Sequence, residues 1–353
     1  MIQETITKLL DKKNLSAQEA EEVFKEIFDS KTTPAQISAF LVALRAKGES
    51  QEEIYAAAKI IREYSIKINI HGSFLGVEID ESHTIDTCGT GGSAVNKFNI
   101  STAVAFVVAS SGARVAKHGN RAMSSSCGSA DVLEELGIKI DVTPQVMENS
   151  LKQVGIGFLY APLYHPVLSR VAEIRKEIKV RTIFNLLGPL CNPARTPYQL
   201  LGVYSEELAP LMAKALRKLG LKRAFVVYSK DLKDEISLGA ENKVYFLDKN
   251  RIKKFSLRAS SFGLKRVPLE KIEVSNKKES ARVIKEILEG KKGPHRDIVL
   301  ANAAACFYIL GKVNTLKEGV KLASQLIDTG KAKDKFLNFK DFLEAQSGAG
   351  KSK

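Results

Sequence analysis

The sequence predicts an α/β protein in two parts: a large domain with a mostly parallel central sheet flanked by helices, and a small all-helical domain. Two patterns predict this. The first 65 residues carry helix-start signals and apolar stripes at helical spacing. From about Ile85, short apolar runs alternate with helical stretches, the texture of βα units. Size agrees with both. The 353 residues are 44% hydrophobic and 27% charged, which suits a soluble protein with a sizeable core.

The helical part comes first. Ser16 with Glu19 is a capping-box pattern before EEVFKEIF, and Ser50 with Glu53 repeats it before EEIYAAAKIIREYS. Thr33, Pro34 and Gln36 start PAQISAFLVALRAKG. Three or four short helices bury too little alone, so this unit should pack on the rest of the chain or on a second subunit. The strands that follow are the residues before GTGG, then ARVAKHG, GIGFLYA, YQLLGVY and RAFVVYS. Between them lie helices such as ADVLEELG, PQVMENSLKQVG and ELAPLMAKALRKLG. DIVLANAAACFYILG reads as a buried helix and LKEGVKLASQLIDTGKAKDKFL as a single amphipathic one. The stretch from about 250 to 278 is basic and irregular, and the tail SGAGKSK reads as disordered.

Several function classes are disfavoured. Cys88, Cys127, Cys191 and Cys306 are widely spread and form no C-x-x-C pair, so no disulfide framework or zinc knuckle is expected. No run of about 18 apolar residues is present to span a membrane, and MIQETITKLLDKKN has no signal-peptide core. A cytoplasmic setting is expected. The net charge of +14 is concentrated from Lys243 to Lys278 and after Lys331, without regularly interleaved aromatics. It reads as solvated surface, and no nucleic-acid partner is expected.

Four stretches can carry chemistry. In DTCGTGGSAVNKFNIST, three glycines crowd a turn after a strand, and Asn99, Ser101 and Thr102 open a helix. A tight turn with an N-cap would explain this much. The clustered glycines with a polar helix start favour a phosphate loop, although neither standard nucleotide fingerprint fits. KHGNRAMSSSCGSADVLEEL places Lys117 at the end of a strand, with His118, Asn120, Arg121 and several serines following; Ser129 is a possible N-cap. Open α/β sheets bind ligands at that edge, and this many donors suit a diphosphate and a sugar. HPVLSRVAEIRKEIKVRTIFNLLGPLCNP puts Arg170 and Arg175 on one helix, either of them a fit partner for a carboxylate or a solvated side chain. In SKDLKDEISLGAEN, the adjacent Asp234 and Glu235 could anchor magnesium, although acidic pairs in loops are common. No serine, histidine and acid pattern calls for a covalent nucleophile.

Taken together, KHGNR, GSADVLE and FNLLGPL-x-NP resemble the anthranilate phosphoribosyltransferase family over nearly the whole chain, to about Leu337. The resemblance implies a fold of the nucleoside phosphorylase/phosphoribosyltransferase type. Residues 1–69 with 170–198 would form the small helical domain, 70–169 with 199–345 the α/β domain, and 346–353 a disordered tail. It implies transfer of the 5-phosphoribosyl group from phosphoribosyl pyrophosphate to the amine of anthranilate, in tryptophan biosynthesis, with Mg2+ and as a homodimer through the helical domain. Gly89, Gly92, Ser93, Lys97, Asn99, Ser101, Thr102, Lys117, Asn120, Ser125 and Ser129 would contact phosphoribosyl pyrophosphate. Gly89, Asn120, His165 and Arg175 would line the anthranilate side. Ser101, Asp234 and Glu235 would hold the metal, and Lys117, Asn120 and Arg175 would be catalytic. Ser93 replaces the family's usual aspartate and Lys97 its usual threonine; Asp231, Leu232 and Lys233 replace a glycine-rich lead-in, and Leu168 and Ser169 follow HP in place of a larger and a basic residue. Two alternatives remain: a nucleoside phosphorylase-like enzyme, against which FNLLGPLCNP speaks, and a catalytically silent nucleic-acid-binding relative, against which the retained KHGNR and Asp-Glu residues speak.

Overall fold

The computed structural model describes residues 1–70, 73–74, 77–78, 83–92, 95–122 and 127–349. Ser93 and Ser125 therefore lie outside the described residues, as do Ser124 and Ser126. Helices span Ile2–Leu10, Ala17–Phe28, Pro34–Lys47 and Gln51–Tyr64. The last three start on the capping boxes that the sequence predicts: Ser16 with Glu19, Thr33 with Gln36, Ser50 with Glu53. Each box satisfies two backbone donors that a helix start leaves open. Their apolar faces meet around Phe24, whose ring lies edge-on to Phe40 at 5.6 Å and to Phe184 at 6.2 Å. Phe184 comes from far along the chain. Val171 and Ile174, on the helix Ser169–Ile178, enter the same core.

Among the described residues nine strands follow in chain order: β1 (Ser73–Phe74), β2 (Val77–Glu78), β3 (Thr84–Asp86), β4 (Arg114–Gly119), β5 (Ile156–Tyr160), β6 (Tyr198–Gly202), β7 (Arg223–Ser229), β8 (Asn242–Asp248) and β9 (Arg251–Leu257). β1 and β2 pair only with each other, and the other seven form one sheet ordered β5-β4-β3-β6-β7-β8-β9. The five strands from β5 to β7 run parallel, and β8 and β9 return antiparallel. β7 shows why both faces are covered. Phe225 and Val227 enter the core with the C-terminal helices, and Ala224 and Val226 enter the core with the helical bundle. Period-two alternation thus feeds two layers.

The structure departs from the sequence reading in three places. β8 and β9 form a hairpin that begins just before the stretch read as irregular. Its turn residues Lys249 and Asn250 have φ of 46° and 66°, the left-handed pair that a two-residue hairpin loop needs. β9 is an edge strand whose exposed lysines hide the strand pattern and guard the edge. The amphipathic stretch read as one helix is two, Leu316–Asp328 and Lys331–Ala349, broken at Gly330 with φ of 78°. The second runs to Ala349, into residues expected to be a disordered tail, because no stop signal follows Phe342 until Gly348.

Candidate active site

β3, β4, β6 and β7 all end at one edge of the sheet, and the chemistry-bearing loops leave from there. β3 runs into the glycine loop. Gly91 and Gly92 have φ of 65° and 73°, a conformation that other residues adopt with strain. The Thr90 N–H donates to Gly202 O at 2.8 Å, and the Thr90 hydroxyl accepts from Tyr204 N at 3.2 Å, so the loop is tied to the end of β6. A Cβ at Gly202 would lie 1.7 Å from the carbonyl oxygen of Asp234. Glycine there lets the Asp234 backbone approach. At Gly89 the ideal Cβ position is 3.4 Å from Asp234 Oδ2.

Lys117, near the end of β4, is 4% exposed. Its ammonium donates to Ser101 Oγ at 3.0 Å and to Thr87 O at 3.3 Å. Ser101 lies in the first turn of the helix Ile100–Ala109, whose N-cap Asn99 makes no capping bond. The Asn99 side chain is used elsewhere: its amide donates to Cys127 O at 3.3 Å, and its oxygen accepts from the Ser280 hydroxyl at 2.8 Å. The first N–H groups of the helix are held within the protein: Asn99 N donates to Ser280 Oγ at 3.0 Å, and Ile100 N to Phe98 O at 2.8 Å. Thr102 is buried.

Asp234 and Glu235 follow β7 after a turn closed by two backbone hydrogen bonds between Ser229 and Lys233. With Thr87, Gly89, Ser101 and Gly202 they line a narrow cleft at the sheet edge. Lys97 pairs with Asp234 Oδ1 at 2.5 Å. Burial pushes the Glu235 carboxyl up to about 7, against the pull of Lys97. Ser101, Asp234 and Glu235 offer only oxygen, the donor set of a hard cation. Among the described residues no group of three or more His, Cys, Asp or Glu could hold a metal alone. Two carboxylates and a hydroxyl therefore fit Mg2+ shared with ligand phosphates, its remaining positions filled by water.

The segment from His165 to Pro193 is fastened to this edge at three points. Arg181 donates to Gly92 O at 2.8 Å. His118 Nδ1 lies 2.8 Å from Gly188 O, and Asn192 donates at 2.8 Å to Asp86 Oδ2, at the end of β3. Asp86 is fully buried, which pushes its carboxyl up to about 6 despite the Asn192 bond. Because a carbonyl only accepts, His118 carries its proton on Nδ1. Its Nε2 then accepts from His165 Nε2, 3.2 Å away. Arg175 precedes all three points, near the end of the helix Ser169–Ile178. Its guanidinium lies 5.5 Å from the Phe184 ring centroid and has no carboxylate partner among the described residues. Burial alone lowers its pKa.

Several expected site residues are thus brought together: Gly89, Ser101, Asp234 and Glu235 around the cleft, with Lys117 on Ser101 and Lys97 beside Asp234. Others have local tasks. The Asn120 side chain accepts from Arg121 N at 2.7 Å. Arg121 pairs with Glu134 and Asp131 and donates to the Tyr160 hydroxyl. Ser129 is not the N-cap of its helix; Gly128 holds that place, and Ser129 is the first helical residue. Arg170 is exposed. Asp86, Thr87, Arg181, Asn192 and Ser280 escape the sequence reading as site residues. Asn192 belongs to the quoted CNP motif, but Ser280 is 181 positions from Asn99 and carries no local signal.

Comparison with known proteins supplies the context of this geometry. Residues 81–333 match the model of the glycosyl transferase family a/b domain, and residues 3–65 match that of its helical bundle domain. The anthranilate phosphoribosyltransferase of Geobacter sp. (strain M21) is 45% identical over 337 residues, covering 94% of this chain and 96% of its own. That of Petrotoga mobilis is 44% identical, covering 97% and 98%. Among solved structures, anthranilate phosphoribosyltransferase from Thermus thermophilus superposes with a TM-score of 0.88 at 38% identity, covering 96% of this chain and 99% of that one. The Saccharomyces cerevisiae enzyme in complex with PRPP and Mg reaches a TM-score of 0.88 at 30% identity, covering 98% of both.

Proposed function

The chain belongs to the anthranilate phosphoribosyltransferase family, and from that premise we propose that it transfers the 5-phosphoribosyl group of phosphoribosyl pyrophosphate to the amine of anthranilate in tryptophan biosynthesis. One observation carries the reading. A cleft lined by Gly89, Ser101 and two carboxylates, with Lys117 bonded to Ser101 and Thr87 behind it, lies at the sheet edge to which the Arg175 segment is fastened.

In this reading the bond between ribose C1 and pyrophosphate breaks, and the electron pair leaves with pyrophosphate. The anthranilate nitrogen gives its lone pair to C1 and loses a proton. Backbone N–H groups of the glycine loop receive phosphate oxygens. Lys117, anchored by Ser101 and Thr87, holds a fixed positive charge beside the leaving group. Ser101, Asp234 and Glu235 would hold Mg2+, which when bound offsets charge on the departing pyrophosphate. Gly92, Asn99, Thr102, Asn120 and Ser129 complete the assigned phosphoribosyl pyrophosphate side, with Ser93 and Ser125 beyond the described residues. Arg175 receives the anthranilate carboxylate through its fork, beside Gly89, Asn120 and His165. The aromatic amine is already nucleophilic, so no strong base is demanded.

The bundle of 1–69 with 170–198 and the α/β part then form two walls around anthranilate, and closure aligns amine and C1. A homodimer through the bundle and a cytoplasmic location complete the reading. Loss of anthranilate fluorescence on mixing enzyme, anthranilate, phosphoribosyl pyrophosphate and Mg2+ tests it. No loss in the full mixture would contradict it.

A further inference from the structure

Lys97 stands where the family resemblance leads one to expect threonine, and its side chain reaches the carboxylate pair. Its backbone is well anchored. The Lys97 N–H donates to Val95 O at 3.0 Å, the residue bridges Glu273, and Val274 N donates to Asn96 O at 3.3 Å. From this base the ammonium donates to Leu232 O at 2.9 Å and to Asp234 Oδ1 at 2.5 Å. The two side chains are only 12% and 9% exposed, so water screens the pair little. Asp234 Oδ1 is thus already occupied by a cation. Its other oxygen lies toward Gly89.

An ammonium and a magnesium ion are both compact, strongly hydrated cations that seek oxygen. One carboxylate oxygen cannot serve both at full strength. Without a cation nearby, Asp234 and Glu235 would also repel each other, and Asp234 is buried where water screens little. Resting on the metal reading above, we propose that Lys97 is a built-in cation that competes with the divalent ion for Asp234. It neutralises the pair while the metal is absent and sets the metal concentration at which the pair fills. Arrival of the metal with a diphosphate releases Asp234 from the lysine. Lys97 is a positioning residue here, acting through Asp234.

The test is direct metal binding by the full chain, with Mn2+ as the probe and the electron paramagnetic resonance of unbound Mn2+ as the readout. Lys97→Met removes the charge and keeps the length. It should bind Mn2+ roughly tenfold more tightly than the unmodified protein, the change expected from removing one competing charge-assisted hydrogen bond. Lys97→Thr should do the same, so a folding failure in either leaves the other to decide. Lys97→Arg keeps the competing charge and should stay near the unmodified value. Equal or weaker binding in the Met and Thr variants would overturn the proposal and leave Lys97 a structural ion pair. Asp234→Asn with Glu235→Gln separates the two claims. If it leaves Mn2+ binding unchanged in every background, the metal does not sit on this pair, and the metal reading falls together with the competition.

Discussion

Arg175 is a half-buried guanidinium that meets an aromatic face and, among the described residues, no acid. Such a group keeps its charge with few partners, an arrangement that suits an incoming carboxylate. Arg175→Ala should cost about 1.5–3 kcal/mol, or about ten- to a hundredfold in kcat/KM for anthranilate, with phosphoribosyl pyrophosphate binding spared. Loss of phosphoribosyl pyrophosphate affinity with anthranilate use intact would refute the assignment. His118 and His165 supply a second residue-scale expectation. Burial pushes His118 down to about 4; burial and then His118 push His165 down to about 3. The unfolded chain takes up these protons below about 6.5, while the folded chain resists until far lower pH. Stability from the neutral pair is therefore complete above about 6.5 and lost as pH falls. In urea unfolding across pH 6.5 to 4.5, the His118→Gln/His165→Gln variant should show a shallower acid slope, by about 1.4 kcal/mol per pH unit for each histidine. Parallel slopes would contradict it. At this scale the sequence shows local signals well: Lys117 after a strand, glycines in a turn, an acidic pair. It hides long-range partners. That Lys97 reaches Asp234, or Asn99 reaches Ser280, depends on segments 137 and 181 positions apart meeting in space.

Elements were legible where their periodicity is strong. The capping boxes mark three helix starts, and five apolar runs become the parallel strands. β8 and β9 were not, because an antiparallel edge hairpin with lysines on its exposed side resembles a charged loop. The break at Gly330 was also missed, since one glycine inside an amphipathic pattern can be tolerated as well as stop a helix. The end of β6 supports a further expectation. The Asp234 carbonyl packs where a Gly202 side chain would stand. Gly202→Ala must move that backbone, so it should lower stability by about 1–3 kcal/mol and disturb the acidic pair. Urea unfolding together with Mg2+-dependent rates checks both. An alanine variant with unchanged stability and rate would show that the two loops do not need this contact.

For the molecule as a whole, two cores on opposite faces of one sheet hold the bundle and the α/β layers together. Among the described residues no helix is long and apolar enough to cross a membrane. On the surface Arg258 pairs with Glu241 and Lys254 with Glu206, and the net charge stays at +14. Met1, Leu10 and Val42 are exposed on the bundle at 46%, 68% and 45%. A second copy covering them would bury apolar area that one chain leaves in water. Sedimentation at micromolar concentration should give a dimer, and a lone 38.7 kDa species would contradict the homodimer.

The transfer itself is tested most directly by stoichiometry. Pyrophosphate release and anthranilate consumption are followed together, with phosphoribosyl pyrophosphate and Mg2+ in excess. One pyrophosphate should be released for each anthranilate consumed, with no sustained release without anthranilate. Release that proceeds equally without anthranilate, or anthranilate left unchanged in the complete mixture, would contradict it.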